Sequence, residues 1–512
     1  MSYVSPIVAP AEQSRVAAMA SRPLAVALVV VGLITSLRLT GTVDSDVAWQ
    51  LWIAGRMHDG ADLYRDIIET NPPLWFWMAR PVERLSALLN LRIEAVLIVA
   101  IGGVVALSLA ATARLVTHVE PGRRTVLLAY AALALAAMPW MHVGQREQIV
   151  MIGAVPYAAL IAARRENVVV PALLAAAIGA GAALGFALKH YFLLVPVLLE
   201  LWLLTGQTRR WRPIRPETAA LLAVGAAYAA AILLFERDFL LNIVPLLKQA
   251  YGSFAAPSLR YLFGPFALVG LGLLAVATLH VRFLKQAPFS SAALVAAAGF
   301  AAAYFIQFKG WPYHTIPITG FAGLAMVALL VESSAPLRPL RLAAPALLSL
   351  PLFLAAEEQL HPVFPSHDLR EAISGLRRGD TVGFLTTETA IPWSVTLQGG
   401  YDYASRYNGF WMMPAILRNE QRGSPDRRLT NLGRRIVTET VADFACTPPR
   451  RIIVSRPRPG EVSFDILPFF LRDPGFSALL LHYRATSRTS LEVYELSVPL
   501  PAPPQDCRRV GL

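Results

Sequence analysis

Apolar runs of roughly 17–25 residues, the length needed to cross a hydrocarbon core, recur about eleven times in the first 356 residues of this chain. Their boundaries read as 22–40, 92–117, 123–140, 147–163, 168–187, 190–205, 217–235, 260–281, 289–307, 312–331 and 338–356. With 55% hydrophobic and 16% charged residues over 512 positions, the chain has too little polar surface for a soluble globule and reads as an integral membrane protein. The first run is too long for a secretory signal and lacks an Ala-x-Ala cleavage site, so it is expected to stay as a span. The stretch 168–205 is interrupted only by "LKHYF". Two short spans meeting at Lys189 account for its length better than one very long helix.

A formal charge of +12 would suit a nucleic-acid partner in a soluble chain, but here the basic residues fall in the links between apolar runs. Arg15 and Arg22 precede the first run. Arg123 and Arg124, Arg164 and Arg165, Arg209, Arg210, Arg212 and Arg215, Arg282 and Lys285, and Arg338 and Arg341 all follow even-numbered runs. This one-sided placement is the positive-inside pattern, and it predicts a cytoplasmic N-terminus, a C-terminus across the membrane, a lipid-bilayer partner and no nucleic acid. The alternate links carry the unusual chemistry: "VDSDVAWQ", "MHVGQREQ", "LKHYF", "FERDF" and "QFKGWPYH". No Gly-rich phosphate loop, zinc spacing or hydrolase elbow is present.

The first outer link, from about Gly41 to Asn90, holds two helical patterns too short or too polar to span, "DVAWQLWIAGRMHDG" and "PPLWFWMARPVERLSALL". Their tryptophans predict helices lying in the membrane interface. After residue 356 the pattern changes. "DTVGFLTT", "RRIIVS" and "SLEVYELSV" read as strands, and "HDLREAISGLRR" and "NLGRRIVTETVADFA" as helices. The expected division is a transmembrane domain over 1–356 and a small α/β domain over 357–512 on the outer, periplasmic side. Cys446 and Cys507 both fall in that outer domain, where oxidation is allowed; a bridge between them is expected over two unpaired thiols.

An isolated Asp at a membrane surface is usually a solvated helix cap. "DSD" followed about 23 residues later by "ETNPPLWFW" is a more specific arrangement. It resembles the first-loop motif of the GT-C glycosyltransferases, and among them the family-39 group of protein O-mannosyltransferases and lipid A aminoarabinose transferases. The resemblance extends in layout over most of the membrane part. It implies an α-helical polytopic membrane fold of about eleven transmembrane helices with a trailing periplasmic domain, in a bacterial inner (plasma) membrane. It implies transfer of a sugar, with inversion, from a polyprenyl-phosphate donor to a hydroxyl on a glycan, lipid or protein acceptor. The acceptor hydroxyl needs a base. The motif places Asp44 in that role with Asp46 as the alternative, and Glu69 positions acceptor or sugar. No cofactor and no essential metal are expected on this likeness.

A departing polyprenyl phosphate gains negative charge, and preorganised cations lower that barrier. Lys189, His190, Arg146, Lys309 and His314 all sit at outer ends of spans, with Tyr313 beside them, and are expected to form a phosphate cradle. Taken singly, either lysine reads as a snorkelling anchor, and Trp311 and Tyr313 as belt aromatics. In the C-terminal domain, Tyr401, Tyr403, Arg406 and Trp411 of "YDYASRYNGFWMMPA" are candidate acceptor contacts, against the commoner fate of core packing. The competing class is a transporter or flippase for a lipid-linked sugar. That class places ionisable groups near the midplane within inverted repeats, whereas these cluster at one end and no clear repeat is visible.

Overall fold

A computed structural model describes residues 10–206, 211–251, 259–280, 287–333, 337–360, 365–456, 464–488, 490–501 and 507. Arg209, Arg210, Arg282 and Lys285 lie outside the described residues, as does the side chain of Arg15. A helix stands at each of the expected apolar runs. Among the described residues, six helices are long and apolar enough to cross a membrane: Ile93–Leu115, Arg146–Arg165, Pro216–Phe235, Pro288–Gln307, Pro312–Glu332 and Arg338–Leu360. Ala172–Phe186, His190–Gly206, Phe239–Ala250 and Pro265–Leu279 are shorter apolar helices. The chain is a multi-pass membrane protein. The break at "LKHYF" is real: one helix ends at Phe186, Lys189 is extended, and a 3-10 turn, His190–Leu193, opens the next helix, Leu194–Gly206. Phe239–Ile243 and Val244–Ala250 form a helix within the link that opens with "FERDF".

The chain packs into two compact units. The first comprises Met1–Gly41, Leu97–Tyr228 and Pro257–Leu360. At its centre are Arg146–Arg165 and Pro312–Glu332, buried over 89% and 94% of their apolar windows, whereas Pro216–Phe235 is buried over 0% and gives its leucines to the surroundings. Small residues allow the close approach at this centre. A Cβ at Gly153 would lie 3.0 Å from the Ala182 Cα and one at Gly185 2.9 Å from the Val150 Cα, so Arg146–Arg165 and Ala172–Phe186 meet backbone to backbone.

The second unit comprises Thr42–Val96, Ala229–Ala256 and His361–Leu512. The division in space therefore does not follow a cut at residue 356: the first outer link packs with the C-terminal region. The reason is aromatic. Trp49 and Trp52 of the helix Ser45–His58 stack at 5.0 Å, and Trp49 packs on Trp393 at 4.7 Å, with Tyr403 against Trp52 at 5.9 Å. Val47 through Ala54 of this helix are buried without interruption, so its tryptophans pack within the second unit. The helix Leu74–Leu89 keeps an apolar exposed edge, with Leu88 81% exposed.

The C-terminal part is built on a mixed five-stranded sheet in the order β2-β1-β3-β5-β4. Its strands are β1 (Thr381–Leu385), β2 (Asp402–Tyr403), β3 (Arg451–Ser455), β4 (Tyr483–Arg488) and β5 (Leu491–Leu496). β1 runs parallel to β2 and β3, and β5 runs antiparallel to β3 and β4. The expected strands are β1, β3 and β5. The two that the sequence reading did not anticipate, β2 and β4, are an edge pair, one of two residues and one with the polar sequence "YRATSR". Cys446, which ends the helix Arg427–Cys446, is bonded to Cys507 with Cα atoms 5.4 Å apart.

Candidate functional site

Four separate stretches of the first unit bring their chemistry to one place. Lys189 sits at the extended break between two helices, where its ammonium group reaches sideways rather than along a helix. Its Nζ donates to Oε1 of Glu147 at 2.5 Å and to Oε1 of Gln307 at 3.3 Å, and lies 3.1 Å from Nε2 of His314. Glu147 belongs to the first turn of Arg146–Arg165, where a carboxylate also complements the helix N-terminus. Its side chain is fully buried, as is that of His314, whose Nε2 is 3.4 Å from the same carboxylate oxygen. One oxygen of Glu147, Oε2, and one ring nitrogen of His314, Nδ1, have no hydrogen-bond partner among the described residues. Buried polar atoms without partners are rare, and they mark a place where a further polar group belongs.

Lys309 comes from the turn that joins Pro288–Gln307 to the following 3-10 segment, Pro312–Thr315. Phe308 caps the helix in the left-handed region at φ 49°, and Gly310 takes φ 71°, a value that glycine adopts without strain. Lys309 Nζ lies over the Trp311 ring at 5.5 Å. Burial, and after it the nearby charge of Lys189, push the Lys309 pKa down to about 8. Two lysines held within range of one another repel, and an anion beside them offsets that repulsion. Arg146 is also buried and, with Lys309 and His142, lies within electrostatic range of His314. His142 stacks near Tyr313 at 5.4 Å and faces Glu358 Oε1 at 3.7 Å. Tyr313 in turn stands 5.6 Å beneath the Lys189 ammonium.

Five of the six residues expected at a phosphate cradle are thus gathered: Lys189, His314, Arg146, Lys309 and Tyr313. His190 is not. Its ring is exposed and stacks on Tyr191 at 3.8 Å, because the 3-10 turn after Lys189 rotates the next side chain away. Glu147, Gln307 and His142 were not singled out in the sequence, although Glu147 stands next to Arg146 in "GQREQ".

The acids of the first outer link are in the second unit. Asp44 is the N-cap of Ser45–His58, and its Oδ1 accepts from the Asp46 backbone N–H at 2.8 Å. Both aspartates are half-buried. Glu69 is buried and fully engaged: Oε2 accepts from Trp49 Nε1, and Oε1 from the Asn71 N–H at 2.7 Å, Asn71 Nδ2 at 2.6 Å and Thr70 Oγ1 at 3.3 Å. It therefore braces the loop and the Trp49 ring rather than offering a carboxylate to acceptor or sugar. Among the described residues no three His, Cys, Asp or Glu side chains are grouped as metal ligands.

The proposed acceptor contacts fare differently. Tyr403 is buried and donates its hydroxyl to the Tyr407 carbonyl at 2.9 Å, and Trp411 is packed on Tyr251 at 5.4 Å. Arg406 binds Asp443 through Nη2 at 2.6 Å and Nε at 3.1 Å, while its carbonyl accepts from Ile68 N–H at 2.8 Å. Burial leaves Tyr403 and Trp411 as packing residues and makes Arg406 a strut that ties the first outer link to the C-terminal sheet. Tyr401 remains partly exposed.

No family model and no curated protein sequence matches the chain. Among solved structures, ArnT from Cupriavidus metallidurans bound to undecaprenyl phosphate is similar, with a TM-score of 0.53 at 14% identity, covering 95% of this chain and 100% of that one. The fold is the GT-C fold. An oligosaccharyltransferase from Archaeoglobus fulgidus, tethered to an acceptor peptide containing an NVT sequon, gives a TM-score of 0.43 at 12% identity over 94% of this chain and 75% of its own. At 14% identity the likeness to ArnT is one of fold and does not extend to the side chains.

Proposed function

We propose that this chain is a membrane glycosyltransferase that moves a sugar from a polyprenyl-phosphate donor to a hydroxyl acceptor. The observation that carries the reading is the buried group around Lys189, in which cations from three links face one another with unpartnered polar atoms among them. Such a group sets three cations beside the Glu147 carboxylate and is suited to a phosphate that gains charge as it leaves. The ArnT structure that shares this fold holds undecaprenyl phosphate, which supports a lipid-linked donor here.

In the proposed step the acceptor oxygen attacks the anomeric carbon, and the bond from that carbon to the phosphate oxygen breaks. The electron pair leaves with the polyprenyl phosphate, and Lys189, Lys309 and Arg146 meet its charge. The acceptor proton passes to a carboxylate, for which Asp44 is the proposed base and Asp46 the next. Single displacement inverts the anomeric centre. No divalent ion is part of the proposal. The proposed setting is a bacterial inner membrane with the C-terminal domain outside the cytoplasm.

The test is to incubate the full-length protein in detergent with undecaprenyl-phosphate mannose, glucose, galactose, arabinose and aminoarabinose. Transfer or hydrolysis of one donor, lost in Lys189→Ala, is the expected result. Movement of these donors across vesicle membranes with neither transfer nor hydrolysis would replace the enzyme with a transporter or flippase.

A further inference from the structure

A second basic site lies in the first unit at a different set of helix ends. The C-terminus of Arg146–Arg165, the C-terminus of Leu194–Gly206 and the start of Pro216–Phe235 enclose a cavity of about 350 Å³, lined by Arg164, Asn167, Leu203, Trp211, Arg212 and Arg215 with the rim residues Val168 and Val169. Three guanidinium groups line it and no carboxylate does. The acids that hold these arginines are set behind them. Glu217 is fully buried and takes Arg164 through two bonds of 3.0 Å and Arg215 Nε at 2.7 Å. Glu200 accepts from Arg215 Nη2 and from Trp211 Nε1 at 3.4 Å.

The loop "WRPIR" at 211–215 is fixed as well. Arg215 Nη1 donates to the Arg212 carbonyl at 2.7 Å, and Thr218 Oγ1 accepts from Arg215 N–H and donates to the Pro213 carbonyl, both at 2.8 Å. Arg212 is exposed, and its guanidinium makes no hydrogen bond or ion pair among the described residues. A network built only to neutralise Glu217 and Glu200 would need neither the cavity nor this third arginine.

The rim shows what the cavity takes. Val169 is 91% exposed, Val168 is 50% exposed, and Ile214, beside Arg215, is 75% exposed. In a multi-pass membrane protein, exposed branched aliphatics around an arginine-lined cavity match a molecule with a negative head and hydrocarbon chains. We propose that this cavity binds an anionic phospholipid, with the phosphodiester against Arg212 and the outer edges of Arg164 and Arg215, and the acyl chains along Val168, Val169 and Ile214. The site is independent of the Lys189 group and of the transfer reaction. The lipid clamps the junction of the three helices.

The experiment uses the full-length protein in detergent, with native mass spectrometry to count retained lipid across a titration of phosphatidylglycerol, phosphatidylcholine and inorganic phosphate. Phosphatidylglycerol should be retained in preference to phosphatidylcholine. Arg212→Ala should weaken it about fivefold, the factor for roughly 1 kcal/mol per basic side chain at an anionic lipid surface. Arg212→Glu should weaken it more, and Arg212→Lys should restore most of the binding. Because Arg212 is exposed and outside the Glu217 network, these variants leave the fold intact. Equal retention in wild type and Arg212→Glu, or phosphatidylcholine retained as well as phosphatidylglycerol, would overturn the proposal. Displacement of phosphatidylglycerol by an equal concentration of inorganic phosphate would assign the cavity to a free anion and overturn the lipid as its ligand.

Discussion

Replacing Glu147 with Gln tests the electrostatic reasoning at the Lys189 group directly. The substitution keeps shape and leaves an oxygen that can accept from Lys189, but it removes the only carboxylate bonded to that ammonium among the hydrogen bonds described. Both side chains are shielded, at 13% and 1% exposure, so solvent does little to screen the loss. Removing one partner of a buried pair outright costs about 3–5 kcal/mol. The amide keeps part of the hydrogen bond, worth about 1 kcal/mol between neutral groups, so about 2 kcal/mol is the expected destabilisation. If that cost falls on the unfolding barrier, the half-life of the detergent-solubilised protein at a fixed temperature should shorten by up to about 30-fold. Undecaprenyl phosphate should then protect the variant more than the wild type, because its phosphate supplies the negative charge that Glu147 supplied. A variant as long-lived as wild type, or equal protection of both by undecaprenyl phosphate, would refute the assignment of Lys189 and its neighbours to an anion site.

Asp44→Asn should lower transfer by about 100-fold or more while leaving donor binding and stability near wild type, since Asn caps a helix as well as Asp does; normal turnover would remove Asp44 as the base and make Asp46→Asn the next measurement. Lys309 has a pKa pushed down to about 8 by burial and by Lys189, so its charge is present below that pH and lost above it. The donor KM should rise as pH climbs through about 8 to 9.5, and Lys309→Arg should flatten the profile, whereas a wild-type KM constant over that range would return Lys309 to a membrane anchor. Cys446→Ser opens a loop spanning a sequence separation of 61, which the chain-entropy estimate values at about 4 kcal/mol; urea or heat should unfold the second unit of the variant earlier, and identical curves with and without dithiothreitol in wild type would count against the bridge.

The helices were legible because the bilayer imposes a length, and a run of apolar residues of that length has few other uses. The break at Lys189 was legible for the same reason, since the run 168–205 is too long for one crossing. What the sequence hid was the partner of Lys189. Glu147 lies about forty positions away and looks like half of a helix-start pair with Arg146. Nothing in local periodicity distinguishes an acid that caps its own helix from one that reaches a neighbouring link. His190 failed for a related reason: adjacency in sequence to Lys189 says nothing of direction once a 3-10 turn intervenes. The packing of Ser45–His58 was not legible because tryptophans suit both a membrane interface and a domain core. The choice was made by Trp393 and Tyr403, more than 340 positions downstream.

The two acids of the first outer link show how one motif divides between chemistry and architecture. Pro72 and Pro73 have no N–H to give, so the Asn71 N–H is the last backbone donor before a two-residue gap, and Glu69 takes it together with the Asn71 side chain. Its other oxygen takes Trp49 Nε1, a group buried four residues into the helix that Asp44 caps. Glu69 thereby joins the loop before the two prolines to the helix whose first turn carries Asp44 and Asp46. An acid with every oxygen engaged cannot take a proton from an acceptor without first giving up buried bonds, each costly to leave unmade. At the helix start Asp44 and Asp46 are half-buried, and Asp44 Oδ1 accepts the capping bond from the Asp46 N–H. Within this motif Glu69 ties the loop to the helix that carries "DSD", which is why the proposed base is sought at Asp44 and Asp46 and not at Glu69.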